Sequence, residues 1–203
     1  MNIAIILAGG TGTRLGTDIP KQYIVVGNEP VFMYCLRAFQ VHRQVDKIVI
    51  VAAHEWQNFI QEWIQKKQID KFASFAIPGK SRQHSILSGL KEARRIGDEA
   101  VDNVIIHDAA RPFLSEKMIE DCINGLEKYD GILPVLPVKD TMYLSADGFS
   151  ITSLLNRDHI YIGQSPESFR LNAYYKANIS TSDEYLNGIR GSSEIAYKAG
   201  MSI

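Results

Sequence analysis

"IILAGGTGTRLGTDIPKQY" (residues 5–23) decides the fold. An apolar run breaks into glycines, and an arginine and a lysine follow, with Pro20 directly before Lys21. In an open α/β sheet, ligands sit at the carboxyl ends of the strands, and Gly9, Gly10 and Gly12 stand directly after a first strand. Glycines there let backbone N–H groups approach phosphate oxygens closely, although a tight structural turn would use the same residues. Spacing excludes the two common phosphate loops. A Walker A loop carries a Lys-Ser/Thr pair after its last glycine, and none stands here; a dinucleotide fingerprint starting at Gly10 needs glycine or alanine where Leu15 stands. Arg14 and Lys21 remain, the latter behind a proline that restricts the backbone. A fixed cation pair beside a nest of N–H groups suits charge building up on a transferring phosphoryl group. The plainer alternative is two solvated surface cations.

Outward from this stretch, short apolar runs alternate with longer helical patterns. Strands are expected at residues 3–7, 47–53, 72–77, 103–107 and 131–135, each nearly continuous in hydrophobicity, as for strands buried on both faces. Between them, Pro30 suits the first turn of a helix carrying "VFMYCLRAF", and "HEWQNFIQEWIQKK" repeats apolar residues at helical spacing. "HSILSGLKEARR" and "SEKMIEDCINGLEKY" behave likewise, the second with Ser115 as its N-cap. The order β-α-β-α-β-α-β-α-β predicts an α/β fold: a mostly parallel sheet with helices on both faces. After Val138 the rhythm breaks. "DTMYLSADGFSITSLL" reads as a hairpin around Asp147-Gly148, either an edge decoration or an arm reaching a partner. Two short helical patterns, "LNAYYKAN" and "SSEIAYKAG", close the chain.

At 203 residues and 45% hydrophobic, the chain can bury one good core, and a single domain is expected. Its 22 Lys and Arg are scattered and balance 23 Asp and Glu, which disfavours nucleic acid or a membrane as partner but leaves small anions open. Cys35 and Cys122 read as buried small hydrophobes in a reducing compartment. The opening apolar run is too short for a signal peptide or a membrane span, so the cytoplasm is the expected location.

Two further clusters carry chemistry. In "PGKSRQHSILSGLKEA", Gly79 follows the third strand, and Arg82 and Ser85 stand at a helix entrance. There they could read a base edge or a phosphate, or simply form an ordinary strand-to-helix loop. In "IIHDAARPF", Asp108 stands at the carboxyl end of a buried strand, well placed to hold Mg2+ against phosphate oxygens, with Arg111 for a second phosphate. A capping aspartate with an arginine partner is the alternative. His107 is expected to support the turn rather than to ligate metal, since no second ligand lies at helical spacing.

With "LLNRDHIYIGQSPESF", these segments resemble, in this order, the cytidylyltransferases that couple CTP to an alditol phosphate, over residues 1 to about 170. The resemblance implies a Rossmann-like nucleotidyltransferase fold, Mg2+ dependence and a homodimer joined by a β-arm, here residues 138–157. By position, Arg14 and Lys21 would stabilise the transition state at the α-phosphorus. Leu7, Ala8, Gly9, Gly10, Thr11 and Gly12, with Gly79, Lys80, Arg82, Ser85 and Ala109, would hold CTP. Asp108 would bind the metal. Arg157 would position the acceptor phosphate across the dimer, beside Arg111, Thr141 and Ser165. The acceptor phosphate is already a nucleophile at neutral pH, so alignment and charge stabilisation suffice, and no general base is required.

Two branches fit, one acting on 2-C-methyl-D-erythritol 4-phosphate and one on ribitol 5-phosphate. "RDHIYIGQSPESF" resembles the ribitol branch, and ribitol 5-phosphate is the expected acceptor. Ser165 replaces the usual threonine and Glu167 the usual glutamine. The family's Thr-Asp pair near the last helical segment reads Gly191-Ser192-Ser193-Glu194 here, and its later acidic ligand and lysine have no counterpart before Ile203, so a truncated chain is expected. Rival readings are another nucleotidyltransferase of this fold and a non-catalytic nucleotide-binding or dimerisation protein.

Overall fold

A computed structural model describes residues 1–10, 19–97 and 103–203. Strand β1 (Asn2–Leu7) leads to a one-turn 3-10 helix (Lys21–Tyr23) and a two-residue ribbon, β2 (Val25–Val26) and β3 (Glu29–Pro30). Helix α1 (Val31–Val41), β4 (Lys47–Val51), α2 (His54–Lys67), β5 (Phe72–Ala76), α3 (Arg82–Gly97) and β6 (Asn103–Asp108) then alternate. Next come α4 (Glu116–Gly125), β7 (Gly131–Ile132), β8 (Val135–Pro137), β9 (Met142–Leu144), β10 (Ser153–Leu155), β11 (Tyr161–Gly163) and β12 (Glu167–Arg170). Helices α5 (Leu171–Ile179), α6 (Asp183–Gly188) and α7 (Ser193–Lys198) complete the chain.

The central sheet runs β5-β4-β1-β6-β12-β7. Its first four strands are parallel, so their carboxyl ends, and the turns after them, gather on one edge. Alternate residues of β1 point to opposite faces, and both faces are covered. Ala4 and Ile6 pack with Ile48, Ile50 and the α1 and α2 side chains Phe32, Leu36, Phe39, Ile60 and Ile64. Ile3 and Ile5 pack with Val49, Val51 and the α3 side chains Ile86, Leu90 and Ala93. Burial on both faces is why these strands read as unbroken apolar runs. Pro30 is the residue before α1, and the Ser115 hydroxyl accepts from the Met118 N–H at 3.2 Å, capping α4 as its position predicts.

The second half departs from a purely parallel plan. Strand β12 runs antiparallel between β6 and β7. It escapes a hydrophobicity reading because "ESFR" is short and apolar only at Phe169, yet Glu167, Ser168 and Phe169 are all buried. The strand expected over residues 131–135 is interrupted: β7 ends at Ile132, and β8 begins a different ribbon at Val135. Pro134 lies between them, without an N–H to extend a ladder. The hairpin forms, pairing Leu144 with Ser153 and Met142 with Leu155. Its connection spans residues 145–152 rather than a two-residue turn, because the Asp147 carboxylate accepts from the N–H groups of Phe149 and Ser150, both at 2.9 Å, and holds a wider loop. A second ribbon, Val135–Pro137 against Tyr161–Gly163, flanks it, so the ribbon structure extends beyond residues 138–157 on both sides. Cys35 and Cys122 are buried free thiols, pushed up to about 12 and about 11 by burial. No helix among the described residues is long and apolar enough to cross a membrane.

Candidate active site

The turn after β1 is fastened from below. The Ala8 N–H donates to Val51 O at 2.9 Å, and the Ala109 N–H donates to Leu7 O at 3.0 Å, continuing the sheet past its last paired residues. The Ala8 carbonyl then accepts from Gln22 Nε2 at 2.6 Å and Tyr23 Oη at 2.8 Å, and the Gly10 carbonyl accepts from the same Gln22 amide at 2.7 Å. Tyr23 stacks on Trp56 with ring centroids 4.2 Å apart. Gln22 and Tyr23 are thus buried anchors, and they leave Lys21 exposed on the outside of the same turn. Gly9 is required by packing, since a Cβ there would sit 2.3 Å from Pro78 Cγ. Thr11, Gly12 and Arg14 lie outside the described residues.

The second loop closes on itself and on the C-terminal helices. The Gly79 N–H donates to Ser85 Oγ at 3.1 Å, and that hydroxyl donates to Ser81 O at 3.0 Å. Ser85 therefore shapes the loop through its side chain. A Cβ on Gly79 would meet His84 Cβ at 2.3 Å. Lys80 pairs with Asp183 at the start of α6, and His84 Nε2 lies 2.8 Å from the same carboxylate. Hydrogen bonds from Lys80 and His84 hold the Asp183 carboxyl below its ordinary range.

Asp108 is the centre of the charged cluster. Arg82 donates from Nε and Nη2 to Asp108 Oδ1 at 3.2 and 3.1 Å, and Arg111 donates from Nε to Oδ2 at 3.2 Å. Arg82 also reaches Glu167 Oε1 at 3.5 Å through Nη2, and Ser192 Oγ at 2.8 Å through Nη1. Ser192 passes its own proton to a hydrogen bond on Glu167. Burial pushes the Glu167 carboxyl above its ordinary range, with the Arg82 charge and the Ser192 hydroxyl opposing. Burial works against the Arg82 charge too, but Asp108 and Glu167 outweigh it and raise the Arg82 pKa. Under the cluster, His107 is buried between Arg111 O, 2.9 Å from Nε2, and Ser165 Oγ, 2.8 Å from Nδ1. Burial holds its imidazole below the usual pKa, hence neutral, and it braces the turn as expected.

A cleft of about 380 Å³ opens over this cluster, lined by Arg82, Asp108, Arg111, Ser165, Glu167 and Arg190, among others. The fold thus brings together four of the residues expected in the site: Arg82, Asp108, Arg111 and Ser165. Among the described residues, neither Lys21 nor Lys80 lines it. Thr141 and Arg157 are elsewhere, flanking the β9–β10 hairpin, where they border a separate cleft of about 430 Å³. There Arg157 Nη1 donates to Lys139 O at 2.7 Å. Neither spacing nor motif marks Glu167, Ser192 or Arg190 as a site residue. The available signal was their departure from the family pattern: a carboxylate where glutamine is usual, and a segment around residue 191 without the usual Thr-Asp pair.

Comparison with known proteins gives the family. The profile of the family described as "IspD: 2-C-methyl-D-erythritol 4-phosphate cytidylyltransferase" matches residues 2–202. A protein of that name from Clostridium acetobutylicum is 36% identical over 186 residues, covering 91% of this chain and 79% of that protein. One from Clostridium novyi is 37% identical over 192 residues, covering 90% and 80%. A bifunctional ribulose 5-phosphate reductase/CDP-ribitol pyrophosphorylase from Haemophilus influenzae is 34% identical over 178 residues, covering 87% of this chain and 37% of that protein. In fold, the chain matches the crystal structure of 4-diphosphocytidyl-2C-methyl-D-erythritol synthase from Anaerococcus prevotii with a TM-score of 0.82 at 24% identity, over 97% of this chain and 81% of that one. The chain belongs to the 2-C-methyl-D-erythritol 4-phosphate cytidylyltransferase family of nucleotidyltransferases.

Proposed function

We propose that the chain transfers CMP from CTP to 2-C-methyl-D-erythritol 4-phosphate. The observation that carries this is the cleft at the carboxyl ends of the parallel strands, where Arg82, Asp108, Arg111 and Glu167 converge within a matching family fold. The acceptor differs from the ribitol 5-phosphate expected from "RDHIYIGQSPESF". The family profile and the two Clostridium relatives carry the methylerythritol name, and this weighs more than one short run. Ribitol 5-phosphate stays as the second reading, on the similarity to the Haemophilus influenzae enzyme.

In the reaction, an oxygen of the acceptor phosphate forms a bond to the α-phosphorus of CTP, the bond from that phosphorus to the α–β bridging oxygen breaks, and pyrophosphate leaves. The work is positioning and charge stabilisation. The glycine turn after β1 and the Gly79–Ser85 loop hold the nucleotide; Lys21, and by the resemblance Arg14, would stabilise the charge that develops on the phosphoryl oxygens. Asp108 suits Mg2+, a hard cation usually held by one or two carboxylates together with substrate phosphates and water. Phosphate oxygens and water would complete its shell. Bound there, Mg2+ would draw negative charge from the phosphates. Both Asp108 oxygens now accept from guanidinium groups, so Arg82 or Arg111 would turn to the incoming phosphates as the carboxylate is released.

The arm acts in a homodimer. Its outward residues Tyr143, Leu144, Phe149 and Leu154 are all more than half exposed, an apolar surface suited to cover by a second copy. Arg157 and Thr141 would then serve the partner's site, which explains their distance from the charged cluster of their own chain. A pyrophosphate-release assay with CTP and each alditol phosphate tests the acceptor. A kcat/KM at least tenfold higher with methylerythritol 4-phosphate supports the proposal; a preference for ribitol 5-phosphate reverses the assignment.

A further inference from the structure

Three guanidinium groups line the cleft, and two are committed. Arg82 is held by Asp108, Glu167 and Ser192, and Arg111 by Asp108. Arg190 lines the same cleft, and among the described residues no carboxylate, carbonyl or ring engages its guanidinium. Its loop is nevertheless well fixed. Ser192, 1% exposed, receives a hydrogen bond on Oγ from Arg82, donates one to Glu167, and accepts one on its carbonyl from Tyr174 Oη at 3.0 Å. The Glu194 N–H donates to Gly191 O at 3.1 Å, fixing the turn into α7. At Gly191 a Cβ would meet nothing nearer than Ser193 Oγ at 3.8 Å, so the glycine leaves open space beside Arg190.

We propose that Arg190 binds the phosphate of the acceptor and determines acceptor affinity; this rests on the cytidylyltransferase reading above. An arginine fork matches a phosphate through two parallel hydrogen bonds, and an uncommitted one need not first give up a carboxylate. The acceptor is favoured over the triphosphate by location. Arg190 shares the cleft with Leu133, Gly163, Gln164 and Ser165, whereas the exposed Lys21 beside the glycine turn, and Lys80 on the second loop, do not line it. Arg111 and Ser165, which the family resemblance gives to the acceptor, line the same cleft, and this favours the acceptor phosphate as the group that Arg190 meets.

Calorimetric binding of methylerythritol 4-phosphate tests this, with the protein saturated by a CTP analogue whose α–β bridging oxygen is replaced by methylene. Arg190→Gln should weaken acceptor binding by roughly 10- to 100-fold, the usual loss for a hydrogen bond to a charged group. Arg190→Lys should recover part of it. Affinity for the analogue should be unchanged, which also reports that the variant is folded, and the dephosphorylated alditol should bind wild type and Arg190→Gln equally. Unchanged acceptor affinity in Arg190→Gln, or an equal loss of the analogue, overturns the assignment. Pyrophosphate release by the wild type is measured separately. Turnover with an unaffected Arg190→Gln affinity removes Arg190 and keeps the function; absent turnover with a lost affinity removes the function and keeps Arg190 as a phosphate ligand.

Discussion

Around Asp108, partnership divides the charged residues into those that hold the site and those left for a ligand. Lys21, outside the cleft, is likewise left for a ligand: it is exposed, on a turn anchored by the buried Gln22 and Tyr23. Lys21→Ala should therefore lower turnover by roughly 100- to 1000-fold, the scale of losing one transition-state donor, while its thermal melt stays at the wild-type temperature. A lowered melt with proportionate activity would make Lys21 structural. Glu167 belongs to the first group, and its burial gives it a pH signature. The folded protein holds the Glu167 proton more tightly than the unfolded chain, whose value is 4.5. Stability from this group is greatest below that pH and is lost as pH rises through the higher folded value. Glu167→Gln removes the dependence, so its melting temperature should gain on the wild type as pH rises from 4.5; a constant difference across that range would contradict the burial argument.

Between elements, backbone closeness matters as much as side-chain chemistry. Gly9 abuts Pro78 so tightly that Gly9→Ala must displace the turn after β1 or the loop after β5. A cost of about 1–3 kcal/mol is expected in urea denaturation, with a weakened KM for CTP, since both loops belong to the nucleotide side. A wild-type midpoint would show that the two loops give way freely. At this scale the sequence was most informative where one residue type has one reason. Unbroken apolar runs placed β1, β4 and β6 because both their faces are buried, whereas β5, at the sheet edge, buries only Ala76 and was marked by its aromatic residues and its place in the alternation. Ser115 announced α4, and the turn after β6 was marked by Asp108 and Pro112. Strand β12 was hidden because Glu167 faces the charged cleft and Ser168 is buried without an apolar side chain, so the segment lacks both periodicities. The break at Pro134 and the length of the arm were hidden for another reason. They depend on β8 finding β11 across residues 138–160, a pairing no local pattern encodes.

For the whole molecule, the distance of Arg157 and Thr141 from the cleft is the decisive arrangement. If the arm completes the partner's site, Lys21→Ala and Arg157→Ala chains, each inactive alone, should complement when mixed and allowed to exchange subunits. Random pairing makes half the dimers mixed, each with one complete site, so roughly a quarter of wild-type activity should return. Mixtures that stay inactive would place Arg157 in its own chain's chemistry or outside catalysis. All of this rests on CMP transfer from CTP to an alditol phosphate, and phosphorus NMR of a reaction with CTP, Mg2+ and methylerythritol 4-phosphate observes that transfer directly. The CTP and phosphomonoester signals should decay together, while pyrophosphate and a new diphosphate diester appear in equal amounts. Unchanged CTP in the presence of bound nucleotide, with methylerythritol 4-phosphate and with ribitol 5-phosphate alike, would contradict it.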